Sequence, residues 1–197
     1  MNGEVSMRRT GWKLWGVLFA GFVVLLVASW FYLKNRFDMD KTPESFHYVA
    51  KFEKDGVPSF QLKTVTGAEF DFANVKAPVV IINFWASWCD PCVQEFASML
   101  KLVDQLGGKV VVVAVSMDDD PKDLENFLKL FKVPRPGFEV VWDREKKISE
   151  MYGVGKLPES FIVGADRRLV RKVIGIEDWA TPQAVSYFGG LAEMGSK

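Results

Sequence analysis

The chain holds two cysteines in 197 residues, and both lie in one phrase, Trp88-Cys89-Asp90-Pro91-Cys92. Thiols spaced this way can staple a loop, bind a metal or trade electrons. As a staple, a disulfide closing four residues removes roughly 2 kcal/mol of unfolded-state entropy, and a domain with this much apolar sequence does not need it. As a zinc site, two thiolates and the single histidine, His47, do not complete four ligands. As a redox pair the phrase fits its surroundings. It follows the apolar run Val79–Phe84 and opens a helical pattern, so a thiol at its start meets unpaired N–H groups and the positive end of the helix dipole. Cys89 is then the attacking thiol, and Cys92, one turn in, resolves the mixed disulfide. Pro91 suits a first helical turn, where its missing N–H costs nothing. Cys-x-x-Cys placed between a buried strand and a helix is a strong redox signal.

A proton acceptor is the next requirement. At 100° per residue Cys92, Phe96, Met99, Val103 and Leu106 share the buried face, with Gln94, Ser98, Lys101 and Gln105 opposite. Glu95 falls between the two, beside Cys92. A half-buried carboxylate has a raised pKa and can take a thiol proton near neutral pH; the alternative is an ordinary boundary glutamate. Asp90, between the cysteines, is a like charge to any thiolate formed there and favours a less oxidising pair.

These residues need a scaffold, and alternating elements supply one. Ser59–Lys63 and Glu69–Ala73 pattern as a small hairpin around Thr66-Gly67. Val79–Phe84 and Val110–Val115 are continuous apolar runs suited to strands buried on both faces. A helix is expected from about Pro91 to Leu106, stopped by Gly107-Gly108. Asp118-Asp119-Asp120-Pro121 caps a second helix through Phe131. Phe138–Trp142 is a third strand and Glu145–Tyr152 a short helix. Ser160–Val163 and Leu169–Ile174 form an antiparallel hairpin, and Thr181-Pro182 opens a last helix to about Met194. The fold class is α/β, a mixed sheet with helices on both faces. The acidic triplet 118–120 reads as a helix cap, and Arg167, Arg168, Arg171 and Lys172 as a solvated hairpin.

The phrase NFWASWCDPC at 83–92, together with LPESF at 157–161, resembles the TlpA/ResA/DsbE (CcmG) group of membrane-anchored, thioredoxin-like thiol–disulfide oxidoreductases. The likeness covers about residues 58–194, including the N-terminal hairpin and an inserted helix–strand unit around 121–142. It implies a cis-proline at Pro158 facing the active-site cysteines, and a substrate surface made by Trp88, Leu157 and Pro158. There the Leu157 backbone would pair with an extended segment around the target cysteine. Read without the resemblance, Pro158 merely starts an edge strand. Thioredoxins usually bury an aspartate six residues before the first cysteine; here that residue is Asn83, and the ResA and DsbE branches point to Glu95 instead. Glu159 resembles an acid of the DsbE branch, or is a surface residue.

The implied activity is reduction of protein disulfides, without a cofactor or metal, with cytochrome c maturation as the pathway. The implied partners are apocytochrome c or its maturation proteins and a membrane-embedded thiol electron donor. A reductant for copper-site assembly of cytochrome oxidase is the rival. A peroxiredoxin would need threonine three residues before Cys89, where Ala86 stands. A copper carrier of the Sco type needs three residues between its cysteines and a downstream histidine.

The remaining segment precedes the domain. Leu14 to Leu33 is a 20-residue run without a charge, long enough at 1.5 Å per residue for a bilayer core of about 30 Å. Trp12, Trp15, Trp30 and Tyr32 flank it as interfacial rings, and Arg8, Arg9 and Lys13 precede it. The expected layout is a cytoplasmic N-terminus at 1–13, an anchor at 14–33, a tether at 34–57 and the domain at 58–197. The catalytic domain then lies on the outer, periplasmic or extracytoplasmic, side of the cell membrane. The competing reading is a cleaved signal peptide with Val27-Ala28-Ser29 as its cleavage site. With 25 basic and 25 acidic residues and no basic stripe, the chain is not built to bind nucleic acid.

Overall fold

The computed structural model describes residues 7–36, 44–133 and 135–195, with side chains described from Trp15 to Lys34 and from Tyr48 onward. The expected N-terminus 1–13 thus lies outside the described side chains, as does His47. Residues 37–43 of the expected tether lie outside the described residues. Two units separate, at Thr42 and Pro43.

The first unit is helix α1, Met7–Arg36. Within it Trp15–Lys34 is long and apolar enough to cross a membrane, and its side chains are exposed throughout. Such a helix buries none of its apolar side chains within its own unit, and its length and composition are compatible with a single membrane span.

The second unit opens with helix α2, Glu44–Asp55, where the sequence reading had only tether. Twelve residues are marginal as an isolated helix, and this one is held by its partners. Phe52, 2% exposed, meets the rings of Tyr152 and Phe161 at 5.3 and 6.2 Å. Tyr48 lies against Gly153, whose φ of +63° is a left-handed conformation and whose missing side chain leaves room for the tyrosine ring.

Then come β1 (Gln61–Thr64), β2 (Glu69–Asp71), β3 (Val79–Trp85), α3 (Asp90–Leu106), β4 (Val110–Ser116), α4 (Pro121–Phe131), β5 (Phe138–Trp142), α5 (Lys147–Met151), β6 (Glu159–Gly164), β7 (Leu169–Ile174) and α6 (Pro182–Gly195). The seven strands form one sheet in the order β2-β1-β5-β4-β3-β6-β7. β3, β4 and β5 run parallel, and the other pairings are antiparallel. This is a mixed thioredoxin-like sheet flanked by helices, with the N-terminal hairpin and the inserted α4–β5 unit in place.

Alternation along the strands divides the core in two. Val79, Ile81, Trp85, Val112 and Ala114 face α3, α4 and α6, whereas Val80, Ile82, Phe84, Val113 and Val115 face α2, α5 and the Phe60–Phe70–Phe72 cluster. β3 is buried at all seven positions, as its apolar pattern, interrupted only by Asn83, requires. Burying each such Val, Ile or Phe contributes about 1.5–3 kcal/mol.

The register gathers one edge of the sheet into a site. Trp85 pairs with Ser116, Ser116 with Trp142, and Phe84 with Glu159. The ends of β3, β4 and β5 therefore meet the start of β6, and the loops leaving them lie together.

Candidate active site

Cys89 is the N-cap of α3, Asp90 and Pro91 follow as its first residues, and no side chain caps the helix. The first-turn N–H groups are left to whatever charge forms on the sulfur. Cys89 and Cys92 are joined as a disulfide. Cys89 keeps 7% of its surface and Cys92 only 1%, so the order of attack expected from the helix tip matches the order of exposure.

Cys89 opens onto a groove of about 560 Å³ whose walls include Trp88, Met117, Val154 and Leu157, with Asp90, Lys146 and Lys156 also lining it. Trp88 is 64% exposed. The Leu157–Pro158 peptide bond is cis, and Leu157 lines the groove while Pro158 is buried. Trp88 and Leu157, two of the three residues expected to meet substrate, line the groove with Cys89, and Pro158 lies buried next to Leu157.

The groove is braced from below by a residue the sequence reading took for a cap. Asp120 does cap α4, accepting the Lys122 N–H at 2.8 Å. Asp118 instead is 1% exposed and reaches across to the turn before the cysteines. It accepts the Ser87 N–H at 3.0 Å, the Ser87 hydroxyl at 2.6 Å and the Ser116 hydroxyl at 2.7 Å. Ser87 is thereby pinned, and with it the start of Trp88-Cys89. Lys146, itself at φ 59°, donates to the Met117 carbonyl and pairs with Asp119 at 3.0 Å, tying the loop after β5 to the end of β4.

Behind Cys92 lies Glu95. It is not half-buried, as its place on the helical wheel suggested, but 2% exposed. Its cover comes from elsewhere in the chain. Asn83 Nδ2 donates to Glu95 Oε1 at 2.9 Å, and the Glu177 N–H and Trp179 indole N–H donate to Oε2 at 3.1 and 3.3 Å. Burial raises the Glu95 pKa from 4.5 to about 7, against the lowering effect of the Trp179, Glu177 and Asn83 hydrogen bonds; the nearby Glu177 charge adds to the rise. A carboxyl half-ionised near pH 7, one turn from a thiol, can accept a proton from it.

Two further readings change. Glu159 is buried, 2.9 Å from Lys172 Nζ, with side chains 4% and 6% exposed. Lys172 is therefore no part of a solvated hairpin. Asn83 and Trp179, which donate to Glu95, and Ser160, which accepts from Asn83, were not singled out as site residues; the available hints were an asparagine inside an apolar strand and a tryptophan just before the last helix. Ala86, three residues before Cys89, is fully buried and offers no hydroxyl.

The AhpC/TSA family model matches residues 54–172. The thiol-disulfide oxidoreductase ResA of Bacillus cereus (strain ZK / E33L) is 33% identical over 119 residues, which is 60% of this chain and 67% of that protein. ResA of Bacillus subtilis (strain 168) is 30% identical over 124 residues, 62% of this chain and 68% of the relative. Among solved structures, one described as a thiol:disulfide interchange protein DsbE from Chlorobium tepidum superposes with a TM-score of 0.59 at 28% identity. It covers 73% of this chain and 96% of its own.

Proposed function

The chain belongs to the AhpC/TSA family and is a thiol–disulfide oxidoreductase of ResA/DsbE type; from that premise we propose an exported, membrane-tethered reductant of protein disulfides. One observation carries the reading: a groove-lining Cys89 at a helix N-terminus, backed by a buried Cys92 and, one turn on, a buried carboxylate.

The reaction starts from the reduced pair. The Cys89 thiolate attacks one sulfur of a client disulfide; that S–S bond breaks, a mixed disulfide forms, and one client thiolate leaves. Cys92 then gives its proton to Glu95 and attacks Cys89 Sγ. The mixed disulfide breaks, the Cys89–Cys92 disulfide forms, and the second client thiolate leaves. The client gains two electrons, and its two thiolates take up protons as they are released. Glu95 returns its proton when an external dithiol, the membrane-embedded donor, reduces the pair again. Trp88, Leu157 and Pro158 present the client segment, the Leu157 backbone pairing with it as an added strand.

The pathway is cytochrome c maturation, with haem-attachment cysteines of the Cys-x-x-Cys-His kind as clients. The resemblance of the 83–92 and 157–161 motifs supports this. Arg8, Arg9 and Lys13 ahead of the span support an outer location for the domain. Trapping tests it. Cys92→Ala in the full-length chain, expressed in membranes, should accumulate a mixed disulfide on Cys89, and mass spectrometry should find an apocytochrome c or a maturation protein attached. Clients whose cysteines stay equally reduced when this chain is deleted would overturn the reading.

A further inference from the structure

The segment between β7 and α6 is tied to the site at both ends. At its start the Gly175 N–H donates to the carbonyl of Pro158 at 2.9 Å. At its far end Trp179, 1% exposed, is joined to Glu95 twice. The indole N–H donates to Oε2 at 3.3 Å, and the Trp179 backbone N–H donates to Ser98 Oγ at 3.1 Å, whose hydroxyl in turn donates to the Glu95 carbonyl at 2.7 Å. The indole packs on Phe188 of α6, with centroids 5.8 Å apart. Residues 175–180 therefore form a cap that runs from the cis-proline to the buried carboxylate.

We propose that Trp179 is a positioning residue for thiol–disulfide exchange, holding this cap over Glu95 and fixing the carboxylate one turn from Cys92. The proposal rests on the reading of Glu95 as the proton acceptor. It has two physical parts that act in opposite directions. The indole N–H favours the ionised carboxylate, while the ring keeps water out and so favours the neutral acid. Around the cap, Glu177 and Asp178 on the loop, Lys101 on α3 and Arg171 on β7 are the charged groups, Tyr187 on α6 is a further titratable group, and Asn83 and Ser160 from the sheet are neutral. Cys92, one turn before Glu95 on α3, becomes titratable only when the disulfide is reduced.

The two parts can be separated by substitution. Trp179→Phe keeps a ring and deletes the donor. The Glu95 titration midpoint, followed by carboxyl carbon NMR on the whole chain in detergent, should rise by about one pH unit. The carboxylate available at pH 7 then falls about fivefold, and thiol exchange should slow by the same factor. Trp179→Ala opens the cap and should move the midpoint the other way, toward an ordinary carboxylate. A merely structural residue has no reason to give opposite shifts. If Trp179→Ala does not fold, Trp179→Phe alone decides: an unchanged or lowered midpoint overturns the proposal. Glu95→Gln in the same exchange assay separates the underlying reading. If its pH dependence matches that of the unaltered protein, Glu95 is not the acceptor. If that dependence is lost while Trp179→Phe leaves the midpoint in place, only the role of Trp179 fails.

Discussion

Asn83 and Glu95 face each other across the β3–α3 boundary, Nδ2 to Oε1 at 2.9 Å, and the same Asn83 nitrogen lies 2.9 Å from Ser160 Oγ on β6. An amide cannot take a proton, so at the strand position where thioredoxins usually hold an aspartate, Asn83 donates to the Glu95 carboxylate rather than acting as an acid itself. In the proposed reaction the acid is Glu95 on the helix instead, on the element that carries both cysteines. On that proposal its protonation would be coupled to the thiols through one turn of α3.

Glu95→Gln tests that division of labour through stability as well as rate. The folded pKa, about 7, lies above the unfolded 4.5, so the folded state binds more protons between these values. The contribution is fully present below pH 4.5 and is lost as pH rises through 7. Relative to the unaltered protein, Glu95→Gln should be stabilised on the order of 3 kcal/mol at pH 8, with the difference vanishing below pH 4.5. The glutamine carbonyl can accept the Trp179 and Glu177 donors, and Asn83 can turn its own oxygen to the new amide. Urea unfolding at pH 4 and 8 measures this. Exchange near pH 7 should slow in the same variant, and equal stability gains at both pH values would rule out a buried charge.

Much of this was written in the sequence, for physical reasons. β3 is buried on both faces, so its apolar run is unbroken apart from Asn83; α3 is amphipathic, and its ends carry Pro91 and Gly107. Local pattern suffices for such elements. It fails where partners are distant. α2 exists because Phe52 meets rings about 100 residues away, Glu95 is covered by a loop more than 80 residues on, and Asp118 reaches back 31 residues to Ser87. None of these pairings leaves a periodic trace. The cis bond at Pro158 was expected only from the family motif, since nothing in Leu-Pro-Glu itself demands it.

The two thiols should differ sharply once reduced. Cys89 lines the groove at a helix N-terminus, while Cys92 is 1% exposed on the inner face of α3. Alkylation with iodoacetamide near neutral pH, read by peptide mass spectrometry, should label Cys89 well before Cys92. Faster labelling of Cys92 would reverse the roles in the mechanism.

The pair should also be reducing. Asp90 occupies the first position of α3, exposed and adjacent to Cys89. Its charge opposes a thiolate that the helix dipole favours, which weakens the reduced state and leaves the disulfide better held. The expected potential is at or below about −270 mV, the thioredoxin value. Asp90→Asn should raise it by roughly 10–20 mV, a small step because the charge is solvated. Equilibration with dithiothreitol buffers gives both numbers. A potential above about −180 mV belongs to disulfide shuffling and would sink the reductase assignment.

The last expectation concerns the ion pair next to the cis-proline. Glu159 follows Pro158 on β6, and its carboxylate lies 2.9 Å from Lys172 Nζ on β7, with the ammonium 5.0 Å from the Phe161 ring centre. Among the described residues, Glu159 Oε2 and Lys172 Nζ are buried with no hydrogen-bond partner, so the ion pair is what compensates the two charges there. Lys172→Met keeps the apolar stem and removes only the charge, leaving Glu159 uncompensated, and should cost about 3–5 kcal/mol. Adding Glu159→Gln removes the stranded charge and should recover most of that loss, because replacing both members of a buried pair is often close to neutral. Phe161 also packs on Phe52, so the single variant should loosen α2 first, and amide hydrogen exchange there should rise before the β3–β4 centre of the sheet responds. If the double variant is as unstable as Lys172→Met, the pair acts through packing of the lysine stem and not through its charge.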